Sequence, residues 1–379
     1  MMTDLLLISV PLDKTSLSSV EKLKRTIAKT NLASCCKFSI PDLKVGILDT
    51  LLSVSDDLSR LDTLTESVIK KTHQCMREVM EPSSDKVPEN ALANGVDLMS
   101  YMTKFQWDKA KYPTALPLSS LADIISKEVS QMDLELTSRA AAYNSVKLSL
   151  QSLQHKKDGP LHTRSMNDIV QKEDLVISEY LTTLLVVVTR ANYLQWERSY
   201  ESFSEFVVPR SSRKLYEDGE GGVFSVTLFK RAVCEFKAKA QESKFIVREY
   251  SFDLEAKKQQ EMKQHVVRKK EQYGTFVRWL KVNFSGVFVA WIHLKALRVF
   301  VESVLRYGLP VNYQAFMLHT DKKRLKKLRE ELAMRFKHLD PTATSSKTDQ
   351  IKCEIPGLCQ QEYFSYICFS VNTNVLEIS

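Results

Sequence analysis

Hydrophobic positions along the chain fall into two rhythms. At the start, Leu5-Leu6-Leu7-Ile8-Ser9-Val10 is an almost unbroken apolar run closed by Pro11, the pattern of a buried strand. From Asp42 the spacing changes to steps of three, four and seven. Leu51, Leu58, Leu61, Val68, Cys75 and Val79 would line one face of a helix, which Pro82 ends. A longer stripe runs through Leu121, Ile125, Val129, Met132, Leu136, Ala140, Tyr143, Val146, Leu150 and Leu153. It predicts a helix roughly 50 Å long at ~1.5 Å per residue. Such a stripe is covered by packing along another helix, so paired long helices and an elongated shape are expected.

The texture changes at His155-Lys156-Lys157-Asp158-Gly159-Pro160, which reads as a connector because Gly and Pro do not continue a helix. Glu179–Thr189 is then a β-branched apolar run, a predicted buried strand. Asn192–Glu205 is amphipathic, with Trp196, Tyr200 and Phe203 on one side. Phe206–Pro209 and Val223–Phe229 read as strands around the turn Asp218–Gly222, Lys230–Gln241 as a helix, and Phe245–Tyr250 as a strand. That alternation marks a compact α/β domain. Leu254–Lys281 is again helical and highly charged. Val282–Tyr307 is apolar nearly all round and predicts a buried helix stopped by Gly308 and Pro310. Lys322–Leu339 is amphipathic through Leu325, Leu328, Leu332 and Phe336, and Tyr363–Val371 is a final strand.

Long-helix segments with a terminal strand therefore flank an α/β middle. The expected fold is α+β and helix-rich, with a smaller α/β domain inserted into a discontinuous helical one. The expected boundaries are 1–160 for the first half of the helical domain and its connecting helix, 165–255 for the inserted domain, and 256–379 for the second half.

Composition narrows the function. Of 379 residues, 44% are hydrophobic and 26% charged, as in an ordinary soluble protein. The seven cysteines are scattered and odd in number, which suits reduced thiols; Cys35 and Cys36 are too close to bridge one another. Met1–Leu12 carries Asp4 and lacks the basic start of a signal peptide. Val287–Leu305 is interrupted by His293, Lys295, Arg298 and Glu302, so no run is expected to cross a bilayer. The sequon at Asn283-Phe284-Ser285 is read as chance. A cytoplasmic protein follows.

Chemistry is sparse. The one glycine cluster, Gly219, Gly221 and Gly222, precedes a strand and lacks the spacing of a P-loop, so it reads as a hairpin turn. The histidines are isolated, and Cys353 and Cys359 have no second pair nearby to complete a zinc site. His293 reads as a hydrogen-bonded core histidine. No nucleophile elbow or metalloprotease helix occurs. Neither a catalytic residue nor a metal or other cofactor is expected, and the chain reads as a non-enzyme.

The formal net charge of +8 is mild, and its conspicuous source is Lys322-Lys323-Arg324 with Lys326, Lys327 and Arg329. A second basic group, Lys230, Arg231, Lys237 and Lys239, lies on the predicted helix of the middle domain, and Arg268-Lys269-Lys270 is a third. The first two groups are candidate partner contacts. A nucleic-acid reader would set aromatics or glycines beside such charges; these runs do not, so solvated helix faces or an acidic protein partner are preferred.

Several long stretches resemble the C subunit of eukaryotic V-type proton ATPases. They include Lys37–Gly46, Leu92–Leu98, Phe105-Gln106-Trp107-Asp108 with Ala110–Pro113, Tyr180–Val188, Val207–Ser212 and Val226–Phe229. The most specific are Val277–Ser285, Ala290–His293 and Lys295–Asn312, followed by Ile355–Leu358 and Gln361-Glu362-Tyr363. Departures fall at Leu5–Leu6, where the family has an aromatic, at Gly286, where an acidic residue is usual, and in the last strand around Cys368 and Asn372–Asn374.

The resemblance implies a dumbbell with a foot built from both chain ends, a smaller head from the middle, and long helices between them. It implies a non-catalytic stator and assembly component, peripheral on the cytosolic face of pump-bearing membranes. The head would hold a peripheral stalk, an E–G heterodimer. The foot would hold a second stalk and the membrane-sector a subunit. Members leave the pump reversibly, and some bind actin. The second reading is a cytoskeletal, actin-binding adaptor working through Lys322–Arg329. A cryptic nucleotide binder comes third, for want of a P-loop.

Overall fold

A computed structural model of the chain describes residues 3–12, 18–80, 91–166, 169–250, 252–339 and 365–371. In chain order the main elements are strand β1 (Thr3–Pro11), helix α1 (Ser18–Thr30), β2 (Ala33–Phe38), α2 (Leu48–Val79), β3 (Leu92–Ala93), β4 (Val96–Asp97), α3 (Leu98–Thr103) and α4 (Leu118–Asp158). Then come β5 (Leu181–Thr189), α5 (Tyr193–Ser199), β6 (Arg213–Glu217), β7 (Gly221–Phe229), α6 (Val233–Glu242), β8 (Ile246–Arg248) and α7 (Phe252–Tyr307). The last are β9 (Tyr313–Asp321), α8 (Lys322–Arg335) and β10 (Ile367–Val371). The chain divides into two compact units, 1–140 with 275–379, and 141–274.

In the first unit, strands from both chain ends pair in one sheet of order β10-β1-β9-β2, antiparallel throughout. Ser9 of β1 faces Ala315 of β9, and Ala33 of β2 faces Thr320. Along the chain this is strand, helix, strand, strand, helix, strand in spatial order 4-1-3-2, the split βαβ or ferredoxin-like arrangement. Its usual short hairpin between the second and third strands is replaced by residues 39–312. Alternation sends Leu6, Ile8 and Val10 to one face with Phe316 and Leu318. There they meet Leu23 and Ile27 of α1 and Leu328, Leu332 and Phe336 of the α8 region. The other face receives α7: the Ser9 and Ser303 hydroxyls are 2.7 Å apart, and the Tyr307 hydroxyl donates to the Ser9 carbonyl at 2.7 Å.

The second unit repeats the arrangement. Its sheet has order β6-β7-β5-β8, again antiparallel and again 4-1-3-2 when numbered along its own elements. One face carries Leu184, Val186, Val188, Phe224, Val226 and Leu228 against Trp196, Phe203 and Phe236. The other carries Leu185 and Val223 under Leu161, Met166 and Val170. Gly221 is required by close approach: a Cβ there would lie 2.5 Å from the Val188 carbonyl oxygen.

Several expectations are corrected. The chain ends are not helical with one terminal strand, because β2 and β9 complete a four-stranded sheet with β1 and β10. In the middle strands and helices alternate, and every neighbouring pair of strands is antiparallel. Phe206–Pro209 contributes only the bridge Val207↔Leu228, while β6 forms the edge instead. His155–Asp158 stays helical at the end of α4. The helix expected from Asp42 begins at Leu48, after Gly46 with φ +73°. Leu254–Lys281 and Val282–Tyr307 are one 56-residue helix, α7. By length and mean hydropathy α7 does hold a window able to cross a membrane, but 83% of that window is buried inside the protein. Its apolarity is that of a core helix. Pro82, Cys353, Cys359, Ile355–Leu358, Gln361–Tyr363 and Asn372–Asn374 lie outside the described residues.

Candidate partner-contact surfaces

Helix α8 follows β9 without a loop, so its register is set by Leu328 and Leu332 reaching into the sheet. That places Lys322, Lys323, Arg324, Lys326 and Lys327 on the exposed side, with Arg329 half-buried. Arg324 donates to the Asn31 carbonyl at 2.8 Å and lies 3.8 Å from Asp321. In sequence, α1 and α8 together carry eleven basic and three acidic residues, a net +8 that equals the charge of the whole chain. The first turn of α8 has no acidic residue, so three cations sit at the positive end of the helix dipole, where they cost rather than contribute stability.

On the second unit the four candidate cations behave differently from one another. Lys237 pairs with Glu249, and Lys239 with Glu235 at 2.9 Å. Lys230 is exposed, and its backbone N–H donates to the Tyr180 carbonyl at 2.8 Å. The Arg231 guanidinium lies 3.7 Å from the centroid of the Phe206 ring and 5.8 Å from that of Phe229. The aromatic company of Lys230 and Arg231 is a feature that sequence reasoning missed. The adjacency of Phe229 to Lys-Arg is a signal for half of it; nothing in sequence ties Tyr180 to them.

Two polar groups lie in the interior of the first unit. His293 is fully buried; its Nδ1 is 2.8 Å from the Val289 carbonyl, and its Nε2 accepts from the Asp108 N–H at 3.0 Å. Both nitrogens are satisfied in the neutral ring, as expected for a core histidine, and burial lowers its pKa to about 4. Rings of Phe105, Trp107 and Tyr112 surround it. The second group leaves no mark in sequence. Asp62, 4% exposed, accepts from Trp291 Nε1 at 2.9 Å and from Lys295 Nζ at 2.7 Å, and also pairs with Arg298. It ties α2 to α7. Among the described residues no group of His, Cys, Asp or Glu is placed to hold a metal, and Cys35, Cys36, Cys75 and Cys234 are free thiols.

Two sheets of one topology, each bearing exposed charged or aromatic side chains, are thus the surfaces available for partner contact. The family profile that matches, that of the V-ATPase C subunit, spans residues 5–367. The V-type proton ATPase C1-B subunit of Danio rerio is 54% identical over 383 residues, covering all of both chains. The C1 subunits of Macaca fascicularis and of Xenopus laevis are each 52% identical over 99% of this chain and 100% of theirs. The chain belongs to the V-ATPase C subunit family, whose members are accessory rather than catalytic components of the pump. Among solved structures, the cytoplasmic N-terminal domain of the V-ATPase I subunit, a homolog of the a subunit, superposes with TM-score 0.32 and 11% identity over 88% of this chain and 98% of that one.

Proposed function

We propose that the chain is a stator and assembly component of the V-type proton pump, joining peripheral E–G stalks to the membrane-sector a subunit from the cytosolic side. The observation that carries this is the full-length match to C subunit relatives at 54% identity. Residues 165–255 form the head that holds one E–G stalk. Residues 1–160 and 256–379 form the foot that holds a second stalk and the a subunit. ATP hydrolysis turns a rotor, so a static element must carry the counter-torque; helices of 41 and 56 residues suit that task. Two modest interfaces on one chain raise each other's effective concentration, and weakening either releases the whole chain. Reversible control of pumping and of organelle acidification follows from that arithmetic.

Affinity capture with the tagged full chain, from cytosol and from solubilised membranes, tests the reading. Recovery of the E, G and a subunits, with pumping lost on depletion of the chain, is expected. A second reading, an actin-binding adaptor, is favoured by the dense cationic face of α8. Recovery of actin alone, with pumping intact, would put it first.

A further inference from the structure

The end of the central strand pair in the second unit carries side chains that folding does not explain. Leu181 pairs with Phe229, and the Tyr180 carbonyl accepts from Lys230 N–H, so Tyr180, Phe229, Lys230 and Arg231 are neighbours. The segment before them is held against the same strands: Val176 N–H donates to Thr183 Oγ1 at 2.9 Å, and Ser178 N–H to the Leu181 carbonyl at 3.0 Å. Yet Tyr180 is 66% exposed, Ile177 63%, Val176 46% and Phe229 38%. Arg231 is exposed above the ring of Phe206, its planar cation held flat by the aromatic face. Exposed tyrosine, phenylalanine and arginine clustered around aliphatic side chains is the composition of interface centres, not of average surface.

The charge says what kind of partner fits. Within residues 176–180 and 229–231 the charged side chains are Lys230, Arg231 and one exposed carboxylate, Glu179. Two cations are too few for a phosphate backbone or an anionic leaflet, which are read by clusters. They suffice to orient a protein segment whose apolar anchor is flanked by carboxylates. We propose that Ile177, Tyr180, Phe229 and Arg231 form the docking surface for such an acidic, apolar-anchored segment of a partner protein. This rests on the reading that residues 165–255 hold an E–G stalk, and it supplies the surface and the chemistry of that contact.

The test is titration calorimetry of the full chain with purified E–G heterodimer. Tyr180→Ala and Arg231→Glu should each weaken binding about tenfold or more, with unchanged melting, because both side chains are exposed. Arg231→Lys, which keeps the charge but loses the stacked plane, should fall between. Leu194→Ala, exposed elsewhere on the unit, should bind as wild type. If wild type binds two E–G heterodimers, as the head and foot readings together require, and Tyr180→Ala and Arg231→Glu bind both equally well, the surface is wrong while the head reading stands. If wild type does not bind, the head reading fails and the inference with it. Phosphatidylserine vesicles that retain wild type but not these variants would also overturn it, in favour of a membrane.

Discussion

The two sheets share strand order, direction and helix placement, yet they are stabilised and decorated by different chemistry. The first unit backs one face of its sheet with mostly aliphatic side chains, sets rings around Phe288, Trp291 and His293 beside the buried anchor Asp62 with Trp291, Lys295 and Arg298, and covers its outer helical layer with lysine and arginine. The second is cored by stacked and edge-on rings around Trp196 and exposes an aromatic–arginine patch. One backbone plan thus offers two kinds of surface. Dense, hydrated charge gives long-range attraction and strong salt dependence, whereas an aromatic patch with one stacked arginine gives short-range, geometry-dependent contact.

The largest effects should come from the cores. Asp62→Ala leaves Lys295 buried without its carboxylate and should cost about 3–5 kcal/mol in denaturant unfolding. Trp196→Ala should cost roughly 3–5 kcal/mol by opening a cavity among Phe203, Phe236 and Phe245. Hydrogen exchange would locate each loss: faster exchange in α2 and α7 for the first, in β5 and β7 for the second. The same pattern from both substitutions would break the view of two separate cores.

Acid should act on the first unit through His293. Its folded pKa is lowered to about 4 against ~6.5 unfolded. The neutral ring therefore contributes stability that is complete above pH ~6.5 and lost as pH falls from there to about 4, up to about 3 kcal/mol. Urea midpoints across that range should fall for wild type and stay flatter for His293→Gln. The smallest effect is at the surface. Lys323→Glu relieves unfavourable charge at the start of α8 and should raise stability by about 0.3–1 kcal/mol. A clear loss would mean that these cations support the fold.

Much of the second unit is legible in sequence, because β5 is a β-branched apolar run, β7 is rich in valine, phenylalanine and leucine, and Trp196, Tyr200 and Phe203 share a helical face. The first sheet is half-hidden. Strand β9 is diluted by Gln314, His319 and Thr320, β2 by Cys35, Cys36 and Lys37, and both depend on β1, whose Ser9 meets Ala315 far along the chain. Register at that separation leaves no local trace. The break near Val282 is a change of burial, not of helix: α7 passes from an exposed charged surface at Lys263 and Arg268 to a wholly buried one at Trp291. The basic residues are plain to see in the sequence. Their different fates, Lys237 and Lys239 paired internally and Arg231 stacked on Phe206, depend on residues brought in by the fold.

The most direct test of the stator reading is ATP-driven proton pumping by membranes depleted of the chain and resupplied with purified protein. Wild type should restore pumping and bring the ATP-hydrolysing sector back to the membrane, while Arg231→Glu should restore neither at the same concentration. Full pumping by the depleted membranes without added chain would contradict the account.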